Sequence, residues 1–170
     1  MIRRLIRSLL TWPDLAGWLQ SGLISAVTLA LIVSIAAPNG LFIWQPHPSG
    51  WLMRLLSVMC VPAFSEELVF RGLLVPDRGE TRRPGLWIGL AVLAFTAWHV
   101  VEALFILPGA HLFMTPAFLL CAGLLGLGCA LIRYRTGSIW PAVILHALLV
   151  WTWQTGFGGP DIRQLLAHAA

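Results

Sequence analysis

The strongest constraint on this chain is a series of apolar runs, each near the length that crosses a lipid bilayer. A helix needs about 20 apolar residues to cross roughly 30 Å of hydrocarbon. Only 11% of the 170 residues are charged and 58% are hydrophobic, whereas a soluble domain carries about 25% charged residues. We therefore predict an all-α, polytopic membrane helix bundle with about five transmembrane helices, at approximately residues 20–37, 51–75, 86–107, 115–132 and 139–155.

The first 18 residues have a different pattern, in which one helical face is apolar and the other is basic. Ile2, Leu5, Ile6 and Leu9 share the apolar face, and the arginines of the segment IRRLIRSLL lie opposite. This pattern is typical of a helix that lies in the lipid headgroup layer. We predict an N-terminal amphipathic interfacial helix within residues 1–18, and a single membrane domain over residues 1–170.

The basic residues, all of them arginines, predict the orientation in the membrane. Outside the second run they lie before the first run, at 76–85 and at 133–138, with Arg163 alone in the tail, whereas the loops at 38–50 and 108–114 contain none. Basic loops stay on the cytoplasmic side, so this alternation predicts a cytoplasmic N-terminus. We expect a multi-pass protein of the bacterial cytoplasmic (inner) membrane. The arginines behind the net charge of +4 are accounted for by their role in membrane orientation. The lipid bilayer is therefore a predicted partner, and nucleic acid is not.

Three ionisable residues lie deep inside the second apolar run, Glu66, Glu67 and Arg71, whereas Arg54 lies near the start of the run. Ionisable groups at membrane depth are costly and usually mark a functional site. Glu67 and Arg71 have the i,i+4 spacing of an intrahelical ion pair, which leaves open a purely structural role or a direct catalytic one. Glu66 points about 100° away from Glu67 and has no cation one turn on, as suits a general base or acid.

Two histidines, His99 and His146, lie in the third and fifth runs, and Glu102 follows His99 at i+3. With a rise of about 1.5 Å per residue, Glu66, His99 and His146 lie roughly 13, 20 and 12 Å from the cytoplasmic ends of their helices. Three helices thus bring polar groups to one layer of the membrane. We expect these groups to meet around a water molecule, with Glu102 in support.

Three motifs together resemble those of the CAAX protease and bacteriocin-processing (CPBP, or Abi) family. Glu66–Glu67–x–x–x–Arg71 resembles its EExxxR motif, and Phe95–x–x–x–His99 resembles its FxxxH motif. The segment 137–141, followed by His146, resembles the start of the third motif, HxxxN. The resemblance covers residues 51–155, which would form a CPBP-like catalytic core.

This resemblance implies a glutamic-type intramembrane endopeptidase without a cofactor or a metal ion. Glu66 and His99 would activate a water molecule for attack on a peptide carbonyl, and His146 would stabilise the oxyanion. Glu67, Arg71 and Phe95 would support the site. The implied substrate is a protein in the membrane, and we expect a membrane-anchored, leader-bearing or sorting-tag-bearing precursor in preference to a prenylated one.

One position departs from the family pattern: Val150 stands where the third motif has Asn. An amide donor in an oxyanion hole is worth about 10²–10³-fold in rate. Gln154 is two turns from His146, and Trp151 or Trp153 could supply an indole N–H instead. The oxyanion hole is therefore rebuilt, or the enzyme is slow, or the protein is inactive.

Two other functions stay open from the sequence. Glu66, His99 and His146 are residue types that bind Zn²⁺, which would make the protein a metal-dependent intramembrane protease, although the HExxH motif is absent. Val150 favours a catalytically inactive immunity or scaffold protein that keeps the fold. A transporter would also use buried acids and histidines, but the chain shows no inverted repeat.

Overall fold

The computed structural model describes residues 1–107 and 109–167, so the end of the predicted domain, 168–170, lies outside the description. These residues are all-α with no β-strand, as predicted. π-helical turns occupy Met59–Phe64, Leu68–Leu73 and Glu102–Ile106, and a 3₁₀ turn occupies His111–Met114. The α-helices are α1 (Ile2–Leu10), α2 (Leu15–Ala36), α3 (Trp51–Val58), α4 (Ser65–Glu67), α5 (Pro84–Val101), α6 (Pro116–Thr136), α7 (Trp140–Gly156) and α8 (Ile162–Ala167).

Local signals explain where the long helices begin and end. Asp14 caps α2 by accepting a hydrogen bond from the Gly17 backbone N–H at 2.7 Å. Thr115 caps α6 in the same way, because its side-chain oxygen accepts a hydrogen bond from the Phe118 backbone N–H at 3.4 Å. Side-chain oxygens satisfy N–H groups that have no partner in the first turn of a helix. Gly137 ends α6 with a left-handed backbone, φ 74°, which glycine adopts without steric cost.

Three helices among the described residues are long and apolar enough to span a membrane, which identifies a multi-pass membrane protein. The second apolar run is not one straight helix, because Val61 has an extended backbone (φ −141°, ψ 118°) before Pro62. Proline disfavours the helical conformation of the preceding residue. α7 has 17 residues, fewer than the about 20 that usually cross a bilayer. The count of five crossings therefore stays a prediction. The three helices are Leu15–Ala36, Pro84–Ile106 and Pro116–Thr136.

Helix α6 lies at the centre of the helix packing and contacts α2, α5 and α7. Its buried Leu125 and Ile132 belong to a cluster that includes Phe95 of α5 and Leu145 of α7. Burial of such side chains removes apolar surface from water or lipid and fixes the helices by close packing. The cluster therefore holds α5 and α7, which carry the predicted histidines, on the same central helix.

Helix α1 is attached to the other helices, and its predicted position in the lipid headgroup layer stays a prediction. Ser8 is fully buried, and its carbonyl accepts a hydrogen bond from the Ile139 N–H at 3.2 Å. The Leu9 carbonyl accepts a second one from Trp140 Nε1 at 2.9 Å. These contacts fix α1 against the start of α7.

Two arginines of α1 bind other groups of the protein, and the sequence does not predict these contacts. Arg4 donates to the Leu73 carbonyl at 2.7 Å and pairs with Glu80. Arg7 pairs with Asp77 at 2.8 Å, and Arg133 of α6 pairs with the same carboxylate at 2.6 Å. Carbonyls at the C-terminal end of a helical segment lack partners, so they attract a cationic donor.

Candidate active site

The predicted catalytic residues Glu66, His99 and His146 all line one cavity of about 410 Å³. Glu102 and Val150 line the same cavity. Most of the other lining side chains are apolar, and a concave apolar site with a few convergent polar groups is the usual form of a ligand site. The four titratable groups come from the segment around α4, from the end of α5 and from α7.

The imidazole of His146 lies between the two adjacent glutamates. Its Nδ1 is 2.9 Å from Glu67 Oε1, which is hydrogen-bond distance, and its Nε2 is 3.8 Å from Glu66 Oε2. The second distance is too long for a hydrogen bond. Because a carboxylate only accepts, Nδ1 donates to Glu67 and Nε2 is the nitrogen that faces Glu66. Both glutamates and His146 are buried.

The predicted ion pair of Glu67 and Arg71 is confirmed, with Glu67 Oε1 3.1 Å from Arg71 Nη1. Both side chains are almost fully buried, so the charges must compensate one another. The same Glu67 oxygen also binds His146. No spacing rule in the sequence indicates a contact between Glu67 and His146, because it joins two different helical segments.

Phe95 is fully buried and packs against both imidazoles. Its ring centroid lies 4.8 Å from that of His99 and 5.8 Å from that of His146, both in edge-on geometry. The His99 Nδ1 lies 2.9 Å from the Phe95 carbonyl oxygen. A carbonyl only accepts, so Nδ1 carries the hydrogen and Nε2 is the nitrogen left for other partners. The FxxxH spacing thus places the phenylalanine one helical turn before the histidine that it orients.

Glu66 keeps one oxygen without a protein donor. The side chain is buried, and among the described residues Oε2 has no hydrogen-bond partner. The indole of Trp98 lies beside the carboxyl groups of both Glu66 and Glu102. Trp98 belongs to none of the sequence motifs, although its position directly before His99 could have indicated it.

Val150 lines the cavity one turn after His146, where the family motif has an amide. Gln154 lines it as well, but its Nε2 donates to the Pro160 carbonyl at 3.2 Å. The amide of Gln154 is therefore engaged with the backbone of the segment that precedes α8.

The two indoles considered as substitutes for the missing amide are also engaged. Trp151 Nε1 donates to the Trp51 carbonyl at 2.9 Å. Trp153 Nε1 donates to the Leu41 carbonyl at 2.6 Å. Each indole N–H is used by a backbone carbonyl, and neither is left to face the cavity.

Within residues 1–107 and 109–167, no three His, Cys, Asp or Glu side chains are arranged to hold a metal ion. This applies to Glu66, His99 and His146, which share the cavity without forming a set of ligands around one point.

A family model for the type II CAAX prenyl endopeptidase Rce1-like proteins matches residues 48–152, which is more than half of the chain. No curated protein matches the chain, and no solved structure does. The matched range includes all the predicted site residues and nearly all of the predicted core at 51–155. The chain therefore belongs to the Rce1-like family, within the wider CAAX protease and bacteriocin-processing (CPBP) group of intramembrane proteases.

Proposed function

We propose that this protein is a glutamic-type intramembrane endopeptidase that hydrolyses a peptide bond in a membrane-associated protein with a water molecule activated by Glu66. The observation that carries the proposal is the position of His146, between Glu67 at 2.9 Å and Glu66 at 3.8 Å on the cavity wall. A base and a positioned imidazole at one cavity are the parts that acyl-transfer chemistry needs.

Glu66 is the general base. Its side chain lines the cavity, and its Oε2 has no hydrogen-bond partner among the described residues, so it can accept a proton from a water molecule there. Nε2 of His99, whose Nδ1 is engaged with the Phe95 carbonyl, is a second acceptor at the same cavity. A water molecule bound between these two groups would have its lone pairs directed toward a substrate carbonyl.

His146 stabilises the oxyanion as an imidazolium. Nδ1–H donates to Glu67, so His146 can donate to a substrate oxygen only when Nε2 is protonated as well. This form also balances the charges of the site, because Arg71 and His146 then compensate Glu67 and Glu66. Buried charges are tolerated when they are paired. Glu67 and Arg71 act through His146 as positioning residues.

The orientation in the membrane follows from the charges and from α1. We propose five crossings with a cytoplasmic N-terminus in a bacterial inner membrane, because basic and non-basic loops alternate along the chain. In α1, Ile2, Ile6 and Leu10 are exposed along one face, which suits contact with the lipid interface. The substrate would be a membrane-anchored precursor with a leader or a sorting tag.

Hydrolysis of a peptide in reconstituted vesicles tests the proposal. The probes are a fluorogenic farnesylated CAAX peptide and the same peptide without the lipid, compared for the wild type, Glu66→Gln and His99→Ala. General acid–base catalysis contributes about 10²–10⁴-fold, so each variant should lose at least 10² in kcat. Glu80→Gln is the matched control, because Glu80 pairs with Arg4 away from the cavity.

Thermal unfolding of each variant separates loss of catalysis from loss of fold. If Glu66→Gln hydrolyses the probes at the wild-type rate, Glu66 is not the base and the proposal is wrong. If the wild type hydrolyses neither these peptides nor a membrane-anchored precursor with a leader or sorting tag, the result favours the inactive scaffold, for which Val150 is the specific observation.

A further inference from the structure

A second carboxyl group on the cavity wall, that of Glu102, has no role in the mechanism above. Glu102 begins the π-helical turn Glu102–Ile106, and its carbonyl accepts a hydrogen bond from the Leu107 N–H at 2.7 Å. π-helical turns are rare and occur frequently at functional sites. The turn ends α5 at the cavity, where Glu102 is half-buried and is one of the lining side chains.

Glu66 and Glu102 both lie beside the Trp98 indole, and Glu102 is close enough to Glu66 to experience its charge. Trp98 has one N–H donor, which cannot compensate two carboxylates. The two acids come from different helical segments, so only the fold brings them together.

The cations of the site do not compensate Glu102. Arg71 pairs with Glu67, and His146 lies between Glu67 and Glu66. Among the described residues, Glu102 forms no ion pair. Two carboxyl groups that share a desolvated site cannot both ionise without a large cost, so such a pair holds one proton. With Glu66 ionised, that proton lies on Glu102.

We propose that Glu102 is a further catalytic residue, the general acid that protonates the leaving amine while Glu66 accepts the proton of the attacking water. The inference rests on the proposed function, since it needs Glu66 as the base. The geometry that supports it is the placement of Glu66, Trp98 and Glu102 around one cavity.

The step is balanced in atoms and charge. The water oxygen bonds to the carbonyl carbon, and one water proton passes to Glu66. The C–N bond then breaks, and the proton of Glu102 passes to the leaving nitrogen, so that Glu66 is now protonated and Glu102 is ionised. Transfer of one proton from Glu66 to Glu102 restores the resting state, and the new carboxylic acid releases its own proton to solvent.

Two leaving groups distinguish this role from a structural one. An amine must be protonated to leave, whereas p-nitrophenolate leaves without a proton. We compare the farnesylated CAAX peptide with a p-nitrophenyl ester of the same acyl segment. Glu102→Gln should lower amide hydrolysis by about 10²–10⁴-fold and change ester hydrolysis by less than about threefold, while Glu66→Gln should lose both activities.

The outcomes separate the two proposals. If Glu66→Gln loses both activities and Glu102→Gln loses neither, or loses both equally, Glu102 is not the general acid. If Glu66→Gln retains both, the proposed function itself is wrong. Glu102→Asp, which keeps the acid on a shorter side chain, should recover part of the amide hydrolysis that Glu102→Gln loses.

A measurement without substrate tests the shared proton directly. The sequence contains four glutamates, Glu66, Glu67, Glu80 and Glu102, so ¹³C-glutamate labelling gives an infrared spectrum with few carboxyl bands. The wild type near pH 7 should show a protonated-carboxyl band that Glu102→Gln removes and Glu80→Gln retains. A wild-type spectrum without that band would overturn the inference, whether or not either probe is hydrolysed.

Discussion

The guanidinium carbon of Arg71 lies 4.1 Å from the centroid of the Phe95 ring, and both side chains are fully buried. A desolvated cation over an aromatic face is stabilised by roughly 2 kcal/mol. The same ring packs in T-shaped geometry against His99 and His146. Phe95 therefore joins the segment that carries the carboxylates to both helices that carry the imidazoles.

Replacement of Phe95 by leucine should lower both stability and activity. The variant loses the cation–π contact and leaves part of the ring volume empty, so we expect the free energy of unfolding to fall by about 2–4 kcal/mol. Denaturant unfolding in detergent micelles measures this. Phe105→Leu is the matched control, because Phe105 is 79% exposed and should change little. Equal losses for the two variants would contradict the packing role of Phe95.

Replacement of Glu67 should show that its main role is to position His146. Glu67→Gln leaves Arg71 as a buried charge without its partner, and we expect it to cost about 3–5 kcal/mol of stability. Adding Arg71→Met replaces the pair by apolar volume and should recover most of that stability. Denaturant unfolding of the wild type and the single and double variants gives the comparison.

Activity should not recover in that double variant, because Nδ1 of His146 has lost its carboxylate acceptor. We expect kcat to stay about 10²-fold low with KM little changed, as for an interaction made in the transition state. A double variant with wild-type kcat would mean that Glu67 and Arg71 have only a structural role.

Contacts within one helix were predictable from the sequence, whereas contacts between helices were not. The i,i+4 spacing of Glu67 and Arg71 predicts their ion pair because a helix fixes that relation locally. The contact between Glu67 and His146 spans 79 residues and depends on the packing of α7 against the carboxylate segment. The distance of each residue from the cytoplasmic end of its helix predicted a common layer for the acids and the imidazoles. It could not predict which glutamate each imidazole would face.

Two differences in the fold have identifiable physical causes. The run at 51–75 was predicted as one crossing, but Val61 is extended because it precedes Pro62; the proline was visible in the sequence. The arginines of α1 were predicted to form the polar face of an interfacial helix, yet Arg4 binds the Leu73 carbonyl. An amphipathic pattern shows which face is polar and does not show whether lipid or protein will satisfy it.

Acid should weaken the attachment of α1 through Glu80. Hydrogen bonds from Arg4 lower the pKa of Glu80 below its usual 4.5. Because the folded-state pKa is depressed, this stabilisation is present above the unfolded pKa and is lost as the pH falls through the folded one. Glu80 is more than one-third exposed, so the contribution is below about 1 kcal/mol and is screened by salt.

Thermal unfolding between about pH 7 and pH 3 measures this contribution, since the range extends from well above to below the usual carboxyl pKa. Glu80→Gln and Arg4→Gln should each flatten the acid limb of the melting-temperature curve, and the double variant should add nothing further. A wild-type slope that persists in both single variants would assign the acid sensitivity to other carboxyl groups.

Restoring the family amide at position 150 should increase the rate of hydrolysis. Val150 lines the cavity one turn after His146, while Gln154, Trp151 and Trp153 donate to backbone carbonyls. An amide donor aimed at the oxyanion acts in the transition state, so Val150→Asn should raise kcat by about tenfold or more and leave KM nearly unchanged. Val150→Leu, which has the shape of Asn without the donor, is the control. If the two variants hydrolyse the farnesylated peptide equally fast, His146 and groups other than residue 150 stabilise the oxyanion, because an amide in that position then has no charge to bind.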